Sequence, residues 1–468
     1  MILLRKIVFY LCLVIYLAAC PLTILDALGY TFAPGDTPEV MKTGVLSLST
    51  VPDGATVYVE NRRYTKRTPT VLQGMRPGSY HLKLLLKDHE PWDGTVGIEP
   101  EQATVLTRAL LLSKHPKRRE VLPDAFERLI PIPETRFLLL LRGSRLDDVL
   151  VYDEEADDVW PLLEPPSPLS GATVIGETVV TGSPFVLFQV RSHDGEHLLG
   201  ASLKRDEVVL TDLTSLFAER PARVEWDPRE PQQLFTWHDG ALDRVDVDAR
   251  EIFPAAVARI RGYGLHRGRL YVVTDRLTLQ RLTLEGKPDG TTEEPLAGAA
   301  ATIPRSLFRV LLPMEDVVML WGERGELLTS PPLRMLEEEG VRGVEVAVSR
   351  ALLWRKDAIG LLDLSAQETP PPSSFRRRWV FRAGRGIHQA LWVDHGSHIV
   401  FCDHAGLSLL DLAIPEAPVR HRLVEVRPGT MAAYAEGSGT LYYLDRRTNR
   451  LSSLELIPRS ALLRVGTE

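Results

Sequence analysis

Three textures of hydrophobic and polar positions follow one another along the chain. After Arg5 and Lys6 comes an uncharged run from Ile7 to Leu25 that stops before Asp26. Its length, about 19 residues, is close to what a helix needs to cross hydrocarbon. Basic residues on the leading side and an acid on the trailing side orient such a helix with its N-terminus in the cytoplasm. The pattern predicts an N-terminal transmembrane signal anchor over residues 1–28, kinked at Pro21, and a linker over 29–42. Strict alternation then takes over: Leu46 and Leu48 against Val45, Ser47 and Ser49, then Thr56 to Val59, then His81 to Leu84. Short alternating runs broken by Asp53-Gly54, Pro69 and Pro77-Gly78 predict a small antiparallel β-sandwich over 43–113.

A second linker is expected over 114–126, where KHPKRREVL is charged and carries a proline. Beyond it the texture becomes a repeat of a turn, a very apolar strand, a charged turn and another apolar strand. The apolar strands begin near Phe137, Phe185, Leu234, Leu270, Asp316, Ala351, His398 and Leu441, at spacings of about 35 to 49 residues. Five of them are followed by a partner: LDRVDVD, LQRLTLE, IGLLDLS, LSLLDLA and LSSLELI. Each pair has the form of a hairpin, and one four-stranded blade per repeat predicts a β-propeller of seven or eight blades over 127–468. A solenoid is the structural rival, with repeats that are usually shorter and more regular. Helical periodicity is scarce in this region, and LRMLEEEG is expected to form one short helical turn.

Composition narrows the classes. The 468 residues are 44% hydrophobic and 25% charged, which suits a globular all-β protein rather than a disordered or fibrous one. A formal charge of -7 with no long basic run argues against a nucleic-acid partner. Only Cys12, Cys20 and Cys402 are present, so no disulfide framework and no CxxC site exists.

Two resemblances add to this. Pro52-Asp53-Gly54-Ala55, followed by Val57-Tyr58-Val59, Thr68-Pro69, Leu72 and Pro77-Gly78 with Tyr80, resembles the PEGA domain family over residues 43–113, with Asp53 standing where the family usually has Glu. That family occurs in bacterial surface and envelope proteins, and the resemblance implies a non-catalytic accessory or structural module. The repeats after it look like a divergent WD40-like or quinoprotein-like β-propeller, although Gly-His and Trp-Asp pairs do not recur at fixed offsets. Leu17-Ala18-Ala19-Cys20 resembles a bacterial lipoprotein cleavage box and makes lipidation at Cys20 the alternative to the signal anchor. The apolar residues after Cys20 favour the anchor.

Chemically suggestive positions are few. WVDHGSHIVFCDH gathers Asp394, His395, His398, Cys402, Asp403 and His404, all zinc-ligand types. In a strand, however, His398 and Cys402 would stand about 13 Å apart, so a sheet-and-turn role is expected, with Cys402 a buried thiol. Asp147/Asp148, Glu154/Glu155 with Asp157/Asp158, and Glu337 to Glu339 are expected on solvated turns. Tyr80 and Trp92 are expected as core or sheet-surface aromatics of the sandwich rather than a carbohydrate platform, and Trp237, Trp321, Trp354 and Trp392 mostly between blades. Arg62, Arg63, Lys66 and Arg67 form the one compact basic patch, a solvated surface or a contact for anionic lipid or wall polymer. No catalytic, cofactor or metal residues are assigned. The expected protein is a non-catalytic scaffold of the bacterial envelope, held by its N-terminal helix in inner-membrane lipid with its bulk extracytoplasmic, and binding a protein or cell-wall polymer. An extracytoplasmic lyase or hydrolase, or a carbohydrate binder, is the alternative.

Overall fold

The computed structural model describes residues 2–27, 30–33, 39–164, 166–205, 207–217, 221, 223–238, 240–290, 294–296, 307–314, 317–330, 334–337, 339–347, 349–364, 377–384, 386–414 and 418–458. The chain divides into two compact units, one of Met1–Lys117 with Asp411–Val419 and Leu456–Glu468, the other of Arg118–Leu410 with Arg420–Glu455.

The first unit opens with helix α1 (Ile2–Ala27). Among the described residues no helix is long and apolar enough to cross a membrane, so the signal-anchor expectation draws no support from the fold. Cys20 lies inside α1 and is half-buried. The expected linker over 29–42 contains a strand pair instead, β1 (Tyr30–Ala33) against β2 (Glu39–Lys42). The sandwich follows as β3 (Gly44–Val51), β4 (Thr56–Val59), β5 (Arg62–Arg67), β6 (Thr70–Met75), β7 (Gly78–Leu85), β8 (Trp92–Ile98) and β9 (Ala103–Leu110). One sheet is ordered β6-β3-β9 and the other β5-β4-β7-β8. It is not wholly antiparallel: β9 returns beside β3 in parallel, Val45 opposite Ala103. Leu46, Leu48, Val57, Val59, Leu82 and Leu84 fill the space between the sheets, as their alternation requires. Gly54 has φ 91°, which makes the Asp53-Gly54 turn a glycine position. Trp92 is buried in this core, and its indole N–H donates to Asp411 Oδ2 at 2.7 Å. Tyr80 packs on the core edge and donates its hydroxyl to the Arg76 carbonyl.

Among the described residues the second unit is a β-propeller of eight four-stranded blades. The predicted apolar strands are the second strands of their blades: Phe137–Leu141, Phe185–Arg191, Glu230–His238, Arg269–Thr274, Val317–Gly322, Arg350–Trp354, His398–Asp403 and Thr440–Leu444. Their side chains alternate between two separate cores. In blade 2, Val186, Phe188 and Val190 join the cluster shared with blade 1, whereas Phe185 and Leu187 join the one shared with blade 3. A strand packed on both faces has no polar face to show, which explains the nearly unbroken apolar runs.

Ring closure corrects one domain boundary. Residues 114–126 are not a free linker, because Arg118–Ala125 forms β10, which pairs with Arg450–Glu455 and completes the last blade. The final blade therefore combines both ends of the propeller segment, and radial repetition leaves the blades only short edges. Bidentate hydrogen bonds of 2.8 Å from Arg119 to Asp157 tie β10 to blade 1. The segment LRMLEEEG is a fourth strand, Arg334–Glu337, rather than a helical turn. Four residues are too few for periodicity to separate a strand from a helical turn.

Candidate functional site

The first strands of the blades surround the propeller axis. Those of blades 4 and 5 run side by side in parallel, with Gly262 opposite Phe308 and Tyr263 opposite Arg309. Because successive first strands share one direction, their turns into the second strands emerge at the same end. Glu134 lies on that turn in blade 1, Asp394 and His395 in blade 7 and Glu436 in blade 8.

Charges on the first strands are largely satisfied within the ring. Arg128 of blade 1 pairs with Glu177 of blade 2. In blade 3, Glu225 accepts from Arg223 at 2.7 Å and from Arg309 of blade 5 at 2.8 Å. The Arg223 guanidinium also lies 4.6 Å over the Tyr263 ring of blade 4, a cation–π contact. Burial pushes the Tyr263 hydroxyl above the usual phenol range.

Glu345, on the first strand of blade 6, differs. Its Oε2 accepts the Trp392 backbone N–H at 3.2 Å, and its backbone carbonyl accepts the Trp392 indole N–H at 3.3 Å. Burial, followed by the nearby charges of Glu134 and Glu436, pushes its carboxyl up to about 7 despite that hydrogen bond. Glu436 accepts the His395 backbone N–H at 2.7 Å and stands 3.2 Å from His395 Nδ1. Four successive blades, 6, 7, 8 and 1, thus bring three carboxylates and an imidazole to one mouth of the channel. Glu134, Glu345 and Glu436 were not legible as a group, since each sits in a different repeat with no shared local motif.

The histidine-rich segment is divided by the fold. Asp394 and His395 occupy a tight turn at φ 54°, while His398 is fully buried on the adjoining strand, its Nδ1 3.7 Å from Asp394 Oδ2. Burial pushes the Cys402 thiol up to about 12, and its Sγ faces the Thr430 carbonyl at 3.7 Å. Asp403 accepts from Arg420 at 3.1 Å, and His404 stacks near His388 with ring centroids 6.4 Å apart. Among the described residues no group of three or more His, Cys, Asp or Glu is arranged to hold a metal ion.

Other carboxylates serve the frame. Asp147 accepts from Arg145 and from the Gly171 N–H, and Asp157 from Arg119 and the Tyr152 hydroxyl. Glu337 joins Arg355 and Arg377, and Glu338 lies outside the described residues. Glu154 is half-buried rather than free, and burial beside Glu155 and Asp153 pushes it up to about 7. Trp392 is buried; Trp237 and Trp321 are partly buried against inter-blade cores. In the sandwich, Arg63 and Arg67 lie on an open groove together with Lys87 and Lys114, two cations that the sequence did not associate with them.

Residues 43–113 match the PEGA domain model. No curated protein sequence matches the chain. Among solved structures it is similar to the computationally designed Ika8 protein at 10% identity and a TM-score of 0.43, over 71% of this chain and 96% of that one. It is similar to BamB from Moraxella catarrhalis at 10% identity and a TM-score of 0.43, over 72% and 99%. A third likeness is to PorZ, described as an essential bacterial surface component of the type-IX secretion system of Porphyromonas gingivalis, at 12% identity and a TM-score of 0.37, over 70% of this chain and 42% of PorZ.

Proposed function

We propose that this protein is an extracytoplasmic scaffold of the bacterial envelope whose propeller presents its channel mouth to a protein or polymer partner. The carrying observation is the composite mouth, where turns of separate blades converge while their polar groups tie each blade to the next. Glu345 engages Trp392 of blade 7, and Glu436 engages His395 of the same blade. Such a surface is broad and rigid, which suits recognition. The PEGA match over 43–113 supports an accessory role beside it. Attachment to lipid through α1 is part of the proposal, supported by the exposure of Phe9, Tyr10, Val14, Ile15, Tyr16 and Leu17.

One observation favours a second reading, a lyase or hydrolase: a carboxyl that titrates near neutrality at a channel mouth suits general acid–base chemistry. Photo-crosslinking in cells tests both. A crosslinking amino acid in place of His395 is expected to yield discrete partner adducts, and the same group in place of Val209, on an outer strand, is not. Equal labelling from the two positions, or none, overturns the scaffold. Glu345→Gln should leave the adducts intact, whereas the enzyme reading requires it to abolish turnover of an envelope polymer.

A further inference from the structure

We infer that the PEGA-like sandwich carries a binding groove for phosphate groups, separate from the propeller mouth and independent of the function proposed for it. The groove, of about 480 Å³, lies on the outer face of the β5-β4-β7-β8 sheet and the loops beside it. Arg63 and Arg67 point into it for a definite reason. Val57 is buried, so Thr56 and Tyr58 on either side of it face outward. Arg67 pairs opposite Thr56 and Arg63 opposite Tyr58, which puts both guanidinium groups on that same outer face, across a bulge in β5.

The opposite rim is built by backbone bonds. His89 N–H donates to the Leu86 carbonyl at 3.2 Å, and His89 Nδ1 lies 2.8 Å from the Lys87 carbonyl. Glu90 N–H reaches the Leu112 carbonyl at 2.8 Å, and Lys114 N–H reaches the Asp88 carbonyl at 3.0 Å. These bonds lock the loop after β7 to the segment after β9, so Lys87 and Lys114 share one rim. Four cations therefore converge on one concavity whose lining, among the described residues, contains no carboxylate; Asp88 and Glu90, on the same loop, do not line it. Among the described residues Arg63, Arg67, Lys87 and Lys114 form no ion pair, unlike the paired arginines of the propeller.

All four cations are exposed and solvated, and like charges gathered in one concavity without a counter-charge raise the local positive potential, which attracts an anion. Two arginine forks suit the oxygens of phosphate, and the two lysines add point charges without geometric demand. The volume falls in the range of small-ligand sites, about 300–1,000 Å³, and has room for more than one phosphate. The bound groups could be carried in series on a soluble chain or singly on lipid headgroups; the recognising chemistry is the same.

Full-length protein titrated with sodium tripolyphosphate by calorimetry, and floated with vesicles of phosphatidylglycerol in phosphatidylcholine, tests the groove. The double variant Arg63→Glu/Arg67→Glu is compared with Arg62→Glu, on the same strand but off the groove, after circular dichroism shows both variants folded. Because α1 is unchanged in both, any difference in flotation comes from the sandwich. The double variant should lose at least tenfold in affinity for tripolyphosphate, for the vesicles or for both, with the control near wild type. Loss with tripolyphosphate marks a soluble phosphate chain as ligand; loss with vesicles alone marks the headgroup. Absence of binding to either probe, or equal loss in the two variants, overturns the inference.

Discussion

The second strands of the propeller blades and the strands of the PEGA-like sandwich are both short, yet they use their faces differently. Phe185–Arg191 feeds two cores, one on each side, and has almost no surface left. β4 buries Val57 and Val59 and leaves Thr56 and Tyr58 outside. A strand committed on both faces can contribute chemistry only through its ends and turns, which is where Glu134, His395 and Glu436 lie. A strand with one free face can carry chemistry along its length, as β5 does with Arg63 and Arg67.

The sharpest way to break this comparison is to empty an inter-blade core. Phe188 is fully buried between blades 1 and 2. Phe188→Ala should lower unfolding free energy by about 3–5 kcal/mol, followed by tryptophan fluorescence in urea. A loss below about 1 kcal/mol would mean that the blade interfaces are not what holds the ring together.

Glu345 probes the turn-bearing mouth instead, and its effect depends on pH. Its folded carboxyl holds a proton up to about 7, well above the ordinary carboxylate range. The folded state therefore binds more protons than the unfolded chain across that window, and stability is greatest below it and lost as pH rises through it. Glu345→Gln keeps an acceptor for the Trp392 N–H and removes the charge. The variant should match wild type near pH 4 and exceed it at pH 8 by on the order of 3 kcal/mol at most. Glu154 titrates in the same direction but is present in both proteins, so the difference isolates Glu345. Parallel stability curves from pH 4 to 8 would show that the Glu345 carboxylate is solvated after all.

The same division explains what could be read beforehand. The eight second strands were legible because burial on both faces forces long apolar runs, and the sandwich because one-sided burial forces alternation around Asp53-Gly54. The closing strand β10 was not: RREVLPDA is exposed along most of its length and owes its strand character to pairing with residues more than 300 positions away. The channel mouth escaped for a related reason, since Glu134, Glu345 and Glu436 meet only after the ring closes. The basic groove was half visible. Arg63 and Arg67 stand out on one strand, but Lys87 and Lys114 join them through backbone bonds that leave no trace in composition.

The smallest expected effect tests the free face of the sandwich directly. Val71 of β6 and Val105 of β9 both lie opposite Ser47 on the outer side of their sheet, 48% and 56% exposed. An apolar side chain there is in contact with water in the folded state, so replacing one methyl by a hydroxyl removes little burial. Threonine also keeps the β-branch that suits a strand. Val71→Thr should change stability by less than about 0.5 kcal/mol, measured by the same urea titration. A loss of about 2 kcal/mol or more would show that Val71 is covered in solution, and the contrast between two-faced and one-faced strands would then fail on the side where it predicts tolerance.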